Sequence, residues 1–156
     1  MKRGSQLDSH YFMKGPRSFL ALALPGSLFV IWLVGLWVLS SLPGDDVQLP
    51  PFPGADKLAH LLYFAVGGAL LALSISAIRR WTPWRVTWTV LLAMAVIGAL
   101  DEFHQLHTVN RAGADPFDWL ADCVGGFLGA VVIGWFYGRA SDRNRSTAGR
   151  VVAQRD

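Results

Sequence analysis

Four stretches of this chain are almost free of charge: Ser18–Leu42, Lys57–Ile78, Trp84–Leu100 and Pro116–Gly138. Each approaches or exceeds the roughly 20 apolar residues that a helix needs to cross a hydrocarbon core. The pattern predicts four membrane helices, the third running on toward His107. Pro25 lies inside the first stretch, where a membrane helix tolerates it. That stretch is also longer than the roughly 7–15-residue apolar core of a cleaved leader, so it reads as a retained span, although Val38–Gly44 could pass as a loose cleavage site. Trp81, Trp84, Trp88, Trp119, Trp135 and Tyr137 fall near the expected helix ends, where amphipathic rings favour the headgroup zone.

Composition agrees. The chain is 53% hydrophobic and 16% charged, against about 25% charged in soluble domains. A net charge of +3 might invite a nucleic-acid reading. The basic residues flank apolar runs instead of forming one stripe, so no nucleic-acid partner is expected. Cys123 is the single cysteine and supports no disulfide framework.

The basic residues also orient the chain. Lys2, Arg3, Lys14 and Arg17 precede the first run. Arg79, Arg80 and Arg85 separate the second from the third. Arg139, Arg143, Arg145, Arg150 and Arg155 follow the fourth, and only Lys57 and Arg111 lie on the other side. The positive-inside rule then puts both termini in the cytoplasm. The expected organisation is an all-α, polytopic four-helix transmembrane bundle: a cytoplasmic tail at 1–17, a membrane domain at 18–138 and a basic, disordered cytoplasmic tail at 139–156.

The acids cluster on the side opposite the arginines. Asp56, His60, Tyr63 and Gly67 recur on one face of the second helix. Met94, Gly98, Asp101 and Gln105 do so on the third, and Asp118, Asp122, Gly125 and Gly129 on the fourth. Small residues let membrane helices approach closely. Charged groups inside the lipid boundary turn toward the bundle interior or water. The three stripes therefore predict a polar cleft open to the outside, with the first helix a lipid-facing support.

Two segments resemble the motifs of VanZ-like membrane proteins. "DKLAHLLYFAVGGALL" is similar to the first motif, and "DEFHQLHTVNRAGADPFDWLADCVGGFLG" to the second. The resemblance, over roughly Ser40 to Tyr137, implies functional positions at Asp56, Lys57, His60, Tyr63, Asp101, Glu102, Gln105, Arg111, Asp118, Gly125 and Gly129. Asp122 stands where the family usually has Asn, and the loop before Arg111 lacks the usual Pro-Gly. The resemblance further implies a multi-pass protein of the bacterial cytoplasmic membrane, and the family's namesake is associated with teicoplanin resistance.

The candidate catalytic residues are His60, Asp56, Asp101 and Asp118, and the candidate ligand-binding residues are Lys57, Tyr63, Glu102, Gln105, Arg111 and Asp122. His60 is the expected general acid or base, with Asp56 one turn away to orient it and to cap the helix. Asp101 is favoured over its neighbour Glu102 because it shares the glycine-bearing face. Arg111 is either paired with Asp118, Asp101 or Glu102 or is a bidentate clamp on an anion. Lys57 reads as an interfacial side chain that snorkels toward water. His60, Asp56, Asp118 and Asp122 offer metal-donor atoms, with His104 and His107 as further imidazoles. No helix carries a His-x-x-x-His or Glu-x-x-His pattern, so no metal is assigned and no cofactor is named.

The expected function is binding of, or group transfer or hydrolysis on, a lipid-linked cell-envelope molecule or a glycopeptide antibiotic. The expected partners are the bilayer and a membrane lipid or lipid-linked envelope precursor. The alternative is a non-catalytic protein whose polar cluster only holds helix ends together. A transporter fits less well, because the inner halves of the helices carry almost no ionisable groups.

Overall fold

The computed structural model describes residues 19–79, 81–111 and 113–153. Four helices follow in order: α1 Phe19–Ser41, α2 Ala55–Ile78, α3 Pro83–Gln105 and α4 Pro116–Ala153, with a short 3-10 turn at Gly44–Asp46. All four are long and apolar enough to cross a membrane, and no strand occurs among the described residues. The all-α expectation therefore holds. The expected 1–17 tail lies outside the described residues.

Local sequence explains the helix starts. The Thr82 side chain accepts from Arg85 N–H and Pro83 opens α3 with its φ already helical. Ahead of α2, Gly54 takes φ +80° and is the capping residue. Asp56 thus sits inside the first turn and does not cap the helix, which corrects the sequence reading. Pro25 lies within α1 without ending it.

One boundary differs more. α4 continues through Arg139 to Ala153, so this part of the expected disordered tail is helical. Extending an existing helix adds one hydrogen bond per residue without a new nucleation step, and no proline interrupts the segment.

α2 and α4 form the most extensive contact. A Cβ on Gly125 would overlap the Leu61 carbonyl, and one on Gly129 would overlap the Ala65 carbonyl, so backbone meets backbone there. Phe64, Ala72, Val90, Met94 and Ala130 fill the interior. α1 does more than face lipid. Trp32 is 6% exposed and belongs to the core. Its indole donates to the Tyr63 carbonyl at 3.0 Å, and the Tyr63 hydroxyl donates to the Trp32 carbonyl at 2.9 Å.

The α1–α2 and α3–α4 loops meet at one end of the bundle. Gly44 N–H donates to the Val109 carbonyl at 3.0 Å, and the Asn110 amide donates to Asp45. All the polar stripes end beneath this junction.

Candidate functional site

Two polar groups occupy this end, one above the other. The outer one is centred on Lys57. Its ammonium lies 2.8 Å from Asp56, 2.8 Å from Asp115 and 3.0 Å from Asp118. Lys57 therefore ties α2 to the start of α4 and does not snorkel away. Three carboxylates close to one cation exceed what reaching toward water offers. The lysine hydrogen bond holds the Asp115 carboxyl below its ordinary 3.8, and the Phe117 N–H adds to the effect.

The inner group is assembled from α2, α3 and α4. His60 Nδ1 lies 2.9 Å from Asp122 Oδ1, and Asp122 is fully buried. Gly98 makes room for it: a Cβ there would lie 2.7 Å from Asp122 Oδ2. The partner of His60 is thus Asp122 and not Asp56. Asp56 turns to the adjacent ammonium, while the glycine contacts of α4 carry Asp122 to the imidazole.

Asp101 and Glu102 are both 6% exposed. Asp101 accepts from the Ser40 hydroxyl and, at 2.8 Å, from the Gln105 amide. Glu102 Oε2 accepts from Asp115 N–H at 2.9 Å. The preference for Asp101 over Glu102 was too narrow. α3 is packed on α4 and also on α1 and α2, so two directions about 100° apart both point inward. One donor atom from each of His60, Asp101 and Glu102 lies within 4.8 Å of the other two.

A cavity of about 290 Å³ opens beside these groups. Asp56, His60, Tyr63, Asp101, Gln105, Arg111 and Asp118 supply its polar lining. Leu39, Val47, Leu49, Ala59 and Phe64 supply apolar surface. Seven of the ten candidate residues therefore meet at one cavity. Lys57 and Asp122 stand behind it, bonded to lining residues, and Glu102 joins through the inner group.

Arg111 takes neither expected role. Its guanidinium donates to the Leu39 carbonyl at 2.7 Å and the Leu42 carbonyl at 3.1 Å. It makes no ion pair among the described residues. The carbonyls at a helix C-terminus lack partners and carry partial negative charge, which attracts a cation as acids do. His104 stacks on Trp37 and contacts Ser41 at 3.0 Å, while His107 contacts the Phe103 carbonyl, so neither joins the cluster.

Two contributors went unrecognised in the sequence. Ser40 is 3% exposed and bonded to Asp101. A hydroxyl at the acid-bearing end of an apolar helix was the available signal. Asp115 was visible as an acid three residues before Asp118 and just ahead of the helix-opening Pro116.

Neither the curated proteins nor the solved structures give a match to this chain. The model of the VanZ/LLP1 family matches residues 15–137, which takes in the first three membrane spans, the fourth as far as Tyr137, and both polar loops. The chain is a multi-pass membrane protein belonging to the VanZ/LLP1 family.

Proposed function

We propose that this protein binds a lipid-linked cell-envelope molecule at the outer face of the bacterial cytoplasmic membrane. The polar head occupies the cavity and the apolar tail follows its aliphatic wall. The carrying observation is a single cavity whose lining joins His60, Asp101, Gln105 and Asp118 to Leu39, Val47, Leu49 and Phe64. Ligand sites pair mostly apolar walls with a few placed polar groups. The outer-face assignment is supported by the order of basic residues along the sequence, nearly all of which flank the apolar runs on the side away from the acidic loops.

The volume helps to choose between ligand classes. About 290 Å³ suits a headgroup and the first part of its chain. A glycopeptide antibiotic is too bulky for that space, which favours the lipid. The purely structural alternative explains the outer group, where Lys57 is fully paired. It does not explain the inner one, where Glu102 Oε1 and Asp122 Oδ2 are buried without partners.

Native mass spectrometry of the purified protein tests the proposal. Wild type retains a stoichiometric lipid, and Ala59→Trp, which fills the cavity, loses it. Absence of any specific lipid from wild type, or equal retention by the variant, overturns it. Reporter fusions at the α1–α2 loop check the orientation, and a cytoplasmic signal there removes the outer-face assignment.

A further inference from the structure

The inner polar group lacks the cation that the outer group has. Asp101, Glu102 and Asp122 are each at least nine-tenths buried, and no lysine or arginine reaches them among the described residues. Buried carboxylates without a compensating charge are costly. Two of their oxygens, Glu102 Oε1 and Asp122 Oδ2, have no hydrogen-bond partner.

We infer that His60, Asp101 and Glu102 form a binding site for a divalent transition-metal cation of the zinc or manganese type. The donor set of one imidazole and two carboxylates suits these ions better than magnesium, which prefers oxygen alone. The donor atoms lie within 4.8 Å of one another. Three donors around one ion with bonds of about 2.1 Å stand up to about 3.6 Å apart, so the side chains close in by up to about an ångström to complete the set.

The surroundings are those of metal ligands. Each of the three side chains makes a hydrogen bond to a residue outside the set. Asp122 holds His60 through Nδ1, which leaves Nε2 without a partner among the described residues. Ser40 and Gln105 hold Asp101. Asp115 N–H holds Glu102 through Oε2, leaving Oε1 as the donor. Such second contacts fix ring orientation and raise ligand basicity. The outer acids Asp56, Asp115 and Asp118 are also close enough together to suggest a site, but the Lys57 ammonium already sits among them.

His60 and Asp101 both line the cavity, so open coordination positions face it. A bound cation would counter the repulsion that the carboxylates of this lining exert on an anionic headgroup. In that state His60 is a ligand, and its Nε2 is not available as a base. The site itself is independent of the lipid reading, since ion loading is measured with no lipid added.

The test uses full-length protein stripped with a chelator, then titrated with Zn2+, Mn2+ or Mg2+ alone. Elemental analysis after desalting reads stoichiometry, and thermal unfolding reads coupling to the fold. Wild type takes up one Zn2+ or Mn2+ and its Tm rises, with Mg2+ much weaker. Glu102→Gln weakens uptake at least tenfold. The double variant His104→Ala/His107→Ala, which removes the nearby imidazoles outside the cluster, still binds one ion. Should Glu102→Gln misfold, Asp101→Asn takes its place. A wild-type protein that takes up none of these ions overturns the inference in favour of protonated carboxylates. Unchanged affinity in the Glu102 or Asp101 variant overturns it equally.

Discussion

His60 on α2 and Asp122 on α4 meet at 2.9 Å inside the bundle, 62 residues apart in sequence. The carboxylate is fully buried, and its second oxygen has no partner. The contact joins the two helices that pack most closely, and it orients the imidazole beside the cavity.

Substitutions at Asp122 separate shape from charge. Asp122→Asn keeps a group that can bond His60 and removes the buried charge, so unfolding in detergent changes by less than about 1 kcal/mol in the absence of metal. Asp122→Ala leaves the imidazole without its partner and opens a void, for a loss of about 2–3 kcal/mol. Equal losses in the two variants would contradict this division.

The α2–α4 contact depends on missing side chains. Gly125→Val or Gly129→Val places methyl groups against the Leu61 or Ala65 carbonyl. Backbone cannot swing aside as a flexible side chain can, so each costs at least about 3 kcal/mol in unfolding assays. Wild-type-like stability in either would mean that the helices lie further apart.

Acid acts through the outer group. The carboxyl of Asp115 lies below its ordinary 3.8 because it bonds the Lys57 ammonium. A depressed value in the folded state adds stability above the unfolded value, which is lost as pH falls through the folded one. Thermal stability is therefore expected to decline as pH falls below about 4. In Lys57→Met the Asp115 part of that decline shrinks to what the Phe117 N–H bond maintains, which pH-dependent melting curves will read.

Arg111 is expected to act on α1 and not on the acids. Removing it in Arg111→Ala frees the Leu42 carbonyl, leaves the Leu39 carbonyl with only the Leu42 N–H at 3.3 Å, and costs about 1–2 kcal/mol. Hydrogen exchange should rise around residues 39–44. A rise confined to α3 and α4 would instead point to an acid partner.

Ala114 holds φ +61° in the α3–α4 loop, a left-handed conformation that a Cβ disfavours. Ala114→Gly relieves this and raises stability by up to about 1 kcal/mol, less what glycine loses by its greater freedom when unfolded. A lower Tm would show that the methyl group has a packing role.

The helices were legible because a span announces itself by length and by lack of charge. The stripe on α3 was legible as well, since Met94, Gly98, Asp101 and Gln105 are all buried. Partners across helices were less so. Spacing of i, i+4 offered Asp56 to His60, yet depth along neighbouring helices decides such pairs, and depth here follows from Gly125 and Gly129. Arg111 pointed to acids because acids are visible in a sequence. The acceptor carbonyls at the end of α1 are not. Ser40 escaped notice because a lone hydroxyl in an apolar run looks ordinary until a carboxylate is found opposite it.

The links between α2 and the start of α4 also set an order of assembly. When α2 first enters the bilayer, α4 with Asp118 and Asp122 has not yet inserted. Lys57 then has only Asp56, and His60 has no carboxylate from α4. The nascent chain is complete in charge only when its last helix inserts, so a polypeptide ending after α3 would be left as a substrate for membrane quality control.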